Sequence, residues 1–160
     1  MGNLFRCQIN NEKREYILKA GGIVQQGYNP TYSKGAMIDI GGSASAGPNY
    51  VDLYGNGYAV TYIDFNATNW NRLHIKQARG YAWGGTASYI AVCTQTSYYE
   101  MVERNMLLNV RTPPNEPKDY VFDISNLSGI HTFCLYVRLE NGLMENRLSI
   151  SINGDVYLAK

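Results

Sequence analysis

Apolar and polar positions alternate through much of this chain. Phe133, Leu135, Val137 and Leu139 alternate with Thr132, Cys134, Tyr136 and Arg138. A period of two puts every second side chain on one face, so this run predicts a long strand with one buried face. Just before it, Asp123-Ile124-Ser125-Asn126-Leu127-Ser128-Gly129 is too rich in Asp, Ser, Asn and Gly to continue the strand at 120–122. It predicts a turn or a short helical loop. The same order occurs upstream. Tyr62-Ile63-Asp64-Phe65 leads into a polar bend containing Trp70, and then Leu73 and Ile75 point in while His74 and Lys76 point out. Any β-sandwich repeats strand, bend and strand, so no duplication is needed to explain the likeness.

Further strands are predicted at 16–20, 37–40, 50–54, 59–63, 88–94, 106–110, 148–152 and 156–158. In 50–54, Val51 and Leu53 point inward while Tyr50, Asp52 and Tyr54 point outward. Residues 25–35, 41–49, 79–85 and 113–117 read as loops on their Gly, Pro, Asn and Ser content. Three Asn-Gly pairs, at Asn56-Gly57, Asn141-Gly142 and Asn153-Gly154, lie between strand-like runs and predict hairpin turns. With no long stretch at helical period, the fold class is all-β, an antiparallel β-sandwich.

Composition narrows this only a little. A length of 160 residues suggests one domain, placed at 16–160, with residues 1–15 as an N-terminal arm or edge strand. Charged residues are 17% and Tyr numbers 14, which suits a β-rich chain. The net charge of +1, without a Lys/Arg cluster, argues against nucleic acid as a partner. The N-terminus has no apolar run of secretory length, and no stretch approaches the ~18 apolar residues that would insert in a membrane. Cys7, Cys93 and Cys134 are odd in number and form no CxxC pair; Cys93 and Cys134 fall in strands and read as buried thiols.

The two strand–bend–strand units, the Gly-rich stretch between them and the closing Val156-Tyr157-Leu158 resemble the jelly-roll domains of phage tail and baseplate proteins of Gram-positive gut bacteria. More distantly, they are similar to carbohydrate-binding modules of the galactose-binding-like class. The resemblance covers roughly residues 36–160. It implies a jelly-roll in a virion, assembled in the bacterial cytoplasm, that binds a host-surface glycan, further copies of itself or other tail proteins. Such modules often hold a structural Ca²⁺ near the chain termini, but no ligand set for one maps onto this sequence, and no metal or cofactor is assigned.

No GxSxG, HExxH or phosphate-loop motif occurs, and His74 and His131 lack metal-ligand spacing. A glycoside-cleaving enzyme would need two carboxylates about 5–9.5 Å apart. Asp39, Asp52 and Asp64 lie on or beside strands where such a pair is conceivable; the plainer role for Asp64 and Asp123 is to bond backbone amides in their bends. Sugars are held by exposed aromatic rings with polar neighbours. Tyr81 and Trp83 lie between Gly80 and Gly84-Gly85 with Arg79 alongside, and these glycines let the rings face out or fold onto the core. Tyr98 and Tyr99 are further stacking candidates, and Tyr28 and Tyr32 form another aromatic loop. The chain thus reads as a non-enzymatic binding module, with ligand-binding residues Trp83, Tyr81, Arg79, Tyr98 and Tyr99. The alternatives are a structural virion protein whose outward Tyr50, Tyr54, Tyr58, Tyr62 and Tyr136 make homo-oligomer contacts, and a glycoside-cleaving enzyme.

Overall fold

A computed structural model describes residues 14–19, 22–23, 43–55, 57–83, 87–94, 105–139 and 146–160. Through these run twelve strands and no helix, arranged as two antiparallel sheets. The smaller sheet has the order β5 (Gly57–Asn66), β10 (Ile130–Leu139), β7 (Ala87–Thr94), β8 (Met106–Arg111). Strand β10 is the long alternating run, and it lies at the centre, paired along its whole length with β5 and through His131 to Arg138 with β7.

The larger sheet is built on β6 (Arg72–Trp83). One edge of β6 pairs with β11 (Arg147–Ile152) and then with β12 (Val156–Ala159); the other pairs with β9 (Lys118–Asp123). Strands β4 (Tyr50–Tyr54) and β3 (Ser43–Gly47) extend the sheet beyond β11, and β1 (Arg14–Lys19) and β2 (Gly22–Ile23) extend it beyond β12. From β4 to β11 the chain crosses repeatedly between the two sheets, the connectivity of a jelly-roll sandwich.

The inward halves of the alternating runs meet between the sheets. Leu53, Leu73, Ile75, Ile90, Leu135, Leu139, Leu148, Ile150 and Ile152 are fully buried there. At about 1.5–3 kcal/mol for each fully buried side chain of this size, this cluster is the main source of stability. The expected inward sets of β4, β6, β10 and β11 are all found in it.

No hairpin pairing joins the strands on either side of the three expected Asn-Gly turns: β4 and β5 belong to different sheets, as do β10 and β11, while Asn56 and Asn141-Gly142 themselves lie outside the described residues. Asn153-Gly154-Asp155 joins two strands that pair with the same edge of β6, so it is a kink and not a reversal. The kink matches a bulge in β6, where Gln77 takes φ 56°. Asn153 and Gly154 donate to the carbonyls of Gln77 and Lys76 (3.0 and 3.1 Å), and Asp155 O accepts from Lys76 N at 2.9 Å. Gly154 is required there: a Cβ would sit 2.6 Å from Lys76 Cβ and 2.7 Å from its carbonyl oxygen. Part of the expected 41–49 loop is strand β3, whose hairpin with β4 turns at Pro48-Asn49. The N-terminal arm up to residue 13 and the strand expected at 37–40 lie outside the described residues.

The two bends do repeat each other. Trp70 N donates to Ala67 O, as Leu127 N donates to Ile124 O; Ala67 and Ile124 are buried, and Trp70 and Leu127 pack on the core. The bends are also joined, Ala67 N to Gly129 O at 2.9 Å and Gly129 N to Thr68 Oγ1 at 2.8 Å. Asp123 caps its bend as expected, accepting from Ser125 N and Oγ. Asp64 does not: β5 runs past it, Asn66 Oδ1 takes the backbone amide of Thr68, and Asp64 accepts from Thr132 Oγ1 at 2.7 Å.

Candidate functional site

Tyr81 and Trp83 are not in a loop. Strand β6 continues to Trp83, and past the Gln77 bulge its alternation is reset so that Ala78 and Gly80 face in while Arg79, Tyr81 and Trp83 face out. Gly80 serves a close approach: Pro113 lies where its Cβ would be, and Gly80 N donates to Pro114 O at 2.9 Å. The Pro-rich segment therefore pairs with β6 where β9 has ended.

The neighbouring strands put partners beside these side chains in register. Across β4, β11 and β6 the outward residues form three rows: Tyr54–Arg147–Trp83, Asp52–Ser149–Tyr81 and Tyr50–Ser151–Arg79. Directly opposed side chains in such a ladder lie about 4.5–5.5 Å apart at Cβ, near enough to act as one surface. The rows border an open groove of about 280 Å³, whose lining includes Tyr50, Asp52, Arg79, Tyr81, Asn115 and Arg147.

Arg147 is the centre of this face. Its Nε and Nη2 donate to the two carboxylate oxygens of Asp52 at 3.0 and 3.1 Å, a bidentate pair. The guanidinium carbon lies 5.0 Å from the Tyr54 ring centre and 5.5 Å from that of Tyr81. The hydrogen bonds to Asp52 raise the Arg147 pKa further, so its charge is fixed at any working pH. Arg147 thereby holds two rings and a carboxylate in place. Tyr50 lies with its ring across Gly47, which has no side chain to displace it. The rings remain open to solvent: Trp83 is 60% exposed, and Tyr50, Tyr54 and Tyr81 are each about 40% exposed. Arg79 makes one long hydrogen bond, Nε to Ser151 Oγ at 3.4 Å.

The outer face of the smaller sheet is also rich in tyrosine, with a different result. Tyr58, Val60, Tyr89, Ala91, Cys93, Cys134 and Tyr136 form a second apolar cluster and are buried, with Tyr136 only 3% exposed. Burial pushes the Tyr136 phenol up to about 12. Cys93 and Cys134 are reduced thiols with sulfurs 3.8 Å apart, and the hydrogen bond shared with Cys93 together with burial keeps Cys134 protonated. The five tyrosines expected to share one outward face are therefore divided, with Tyr50 and Tyr54 on the larger sheet and Tyr58, Tyr62 and Tyr136 on the smaller.

Of the site residues expected from sequence, Arg79, Tyr81 and Trp83 come together on one face, while Tyr98 and Tyr99 lie outside the described residues, as do Tyr28 and Tyr32. Asp52 and Asp64 occupy opposite outer faces of the sandwich and cannot act as a carboxylate pair; Asp39 is outside the described residues. His74 stacks flat on Tyr157, with ring centres 4.8 Å apart. Among the described residues no group of three or more His, Cys, Asp or Glu side chains is placed to hold a metal ion, and no helix is long and apolar enough to cross a membrane. Arg147 and the two serines were not singled out from the sequence, and Asp52 was considered only as one member of a carboxylate pair. The alternation in 148–152 marks Arg147, Ser149 and Ser151 as outward, but nothing local places them beside β6.

No protein-family model matches the chain, and no curated protein matches it. Among solved structures, it is similar to a family 11 carbohydrate-binding module from Clostridium thermocellum, solved in complex with a β-1,3-1,4-mixed-linked tetrasaccharide. The identity is 9%, the TM-score 0.48, and 94% of this chain and 97% of that one are covered. A second structure of that family, from the cellulosomal cellulase Lic26A-Cel5E of C. thermocellum, matches at 8% identity and TM-score 0.45, covering 94% and 96%. A CBM4 structure matches at 8% and 0.42, covering 86% of this chain and 96% of that one.

Proposed function

We propose that the outer face of β4, β11 and β6 is a carbohydrate-binding surface and that the protein acts by binding and not by catalysis. The observation that carries this is the three-row ladder. Exposed rings at Tyr50, Tyr54, Tyr81 and Trp83 alternate with Arg, Asp and Ser side chains on paired strands. Ring faces stack on the C–H faces of pyranoses while the intervening polar groups bond hydroxyls, and strands hold both at fixed spacing. Asp52 is committed to Arg147, and no second carboxylate faces it in the ladder, which favours binding over glycoside cleavage. Tyr98 and Tyr99 remain stacking candidates on the sequence argument.

Titration calorimetry against a panel of neutral and acidic oligosaccharides tests this. Trp83→Ala and Tyr81→Ala each lower affinity by about tenfold, the equivalent of 1–1.5 kcal/mol for one ring contact, with the unfolding midpoint unchanged. Failure of every sugar to bind overturns the reading.

A second reading draws on the same exposure: a patch of Tyr, Trp and Arg is also the composition of a subunit interface. Light scattering over a tenfold concentration range separates the two, since a concentration-dependent mass that Trp83→Ala abolishes assigns the face to self-association. Placement in a phage tail or baseplate rests on the sequence resemblance alone, and co-purification with assembled particles tests it.

A further inference from the structure

The two arginines on this face are in different states. Arg147 is neutralised by both oxygens of Asp52 and clamped by two rings. Arg79 lies on the groove wall, exposed, and its long bond to Ser151 uses Nε only, leaving the Nη groups of the fork unused. Among the described residues, no carboxylate lies within 4.0 Å of it. With Arg147 and Asp52 cancelling, Arg79 supplies the uncompensated positive charge of the lining side chains. Around it stand the rings of Tyr50 and Tyr81 and the side chains of Asn115 and Ser151.

A neutral sugar needs donors and acceptors but no unpaired cation. A guanidinium fork with two free N–H groups at the side of a stacking surface matches a carboxylate, which it bonds with two parallel hydrogen bonds. Resting on the carbohydrate reading above, we propose that the groove takes an acidic saccharide, a uronate-containing oligosaccharide whose carboxylate pairs with Arg79 while its ring lies on Tyr81. Arg147 is the positioning residue that holds Tyr81 and Tyr54, and Arg79 is the residue that sets specificity.

The test uses the full chain and three uronate probes: oligogalacturonate, a mannuronate-rich alginate oligosaccharide and a hyaluronan oligosaccharide, each also as its carboxyl methyl ester. At least one acid form binds tighter than its ester by about tenfold or more, the range of charge-assisted hydrogen bonds. That preference shrinks as NaCl is raised. Arg79→Gln abolishes it without shifting the unfolding midpoint, and Arg79→Lys restores part of it. If esters or neutral oligosaccharides bind as well as the acids, or if Arg79→Gln keeps the preference, the acidic specificity is wrong while the carbohydrate reading stands. If no sugar of either kind binds, both fall.

Discussion

The two outer faces of the sandwich are both rich in tyrosine, yet one keeps its rings in solvent and the other buries them. The difference lies in what stands between the rings. On the larger sheet, the neighbours of Tyr50, Tyr54 and Tyr81 are Asp52, Arg147, Ser149 and Ser151, none of which leaves water cheaply. On the smaller sheet, Tyr58, Tyr89 and Tyr136 pack with Val60, Ala91, Cys93 and Cys134, which lose nothing by burial, while the half-buried Arg138 stands opposite Tyr58 and the exposed Arg111 opposite Tyr89. A count of aromatics therefore does not locate a binding surface, whereas the residues alternating with them across the ladder do.

The sharpest way to break this contrast is to remove a ring from each face. Tyr136→Ala empties a buried site and is expected to cost about 3–5 kcal/mol in urea unfolding, as for other aromatic truncations in cores. Trp83→Ala, on the exposed face, is expected to change stability by no more than about 0.5 kcal/mol. Equal losses at the two sites would refute the division into a structural face and a recognition face.

The next effect separates the faces by pH. Burial raises the Tyr136 phenol to about 12 in the folded protein, above the ordinary ~10 of the unfolded chain. The folded state thus holds its proton longer. Stability from this residue is intact below pH ~10 and is lost as pH rises towards ~12, by about 2–3 kcal/mol in total. Unfolding midpoints measured across that window fall for the native sequence. Tyr136→Phe flattens the curve.

How much of this was legible in the chain follows from the range of each signal. Alternation is local, so it correctly marked the inward sets of Val51/Leu53, Phe133 to Leu139 and Leu148/Ile150/Ile152, and with them the fold class. Strand pairing is non-local, and the three Asn-Gly pairs misled because the next strand lay in the other sheet or continued along the same edge of β6. Gly80 looked like a loop residue, but its reason is Pro113, 33 positions away and packed on it. Arg79, Tyr81 and Trp83 were legible as a cluster because they are near neighbours in sequence. Their anchor was not, since Arg147 and Asp52 are 95 residues apart and meet only through β-register.

Arg147 sharpens the comparison at smaller amplitude. Arg147→Ala leaves Asp52 without its bidentate partner and frees the Tyr54 and Tyr81 rings. The pair is partly exposed, so the stability loss is expected to be about 1 kcal/mol or less. Its larger consequence is for binding: loosened rings weaken every oligosaccharide alike, acid and ester together, whereas Arg79→Gln weakens the acids selectively. A selective effect of Arg147→Ala would mean that the roles of the two arginines are reversed.

The smallest effect comes from the bulge that sets the face. Asp119 accepts from Gln77 N at 2.9 Å and from Lys76 Nζ at 3.0 Å, at the point where β6 changes its alternation. These bonds, the backbone one first, hold the Asp119 carboxyl below its usual range. A lowered carboxyl stabilises the fold above its unfolded value near ~3.9, and this contribution is lost as pH falls through the folded value. Both partners are well exposed, so solvent screening limits the effect to about 0.5 kcal/mol. Asp119→Asn keeps an acceptor for Gln77 but loses the charge. The gap between variant and parent in urea midpoint should therefore be small at pH 7 and close as pH falls through the lowered folded value. Oligosaccharide affinity should not change, because Gly154 against Lys76 and the bonds from Asn153 and Gly154 fix the bulge independently. A fall in affinity with Asp119→Asn would mean that this one carboxylate, and not the kink opposite, sets which side chains of β6 face the groove.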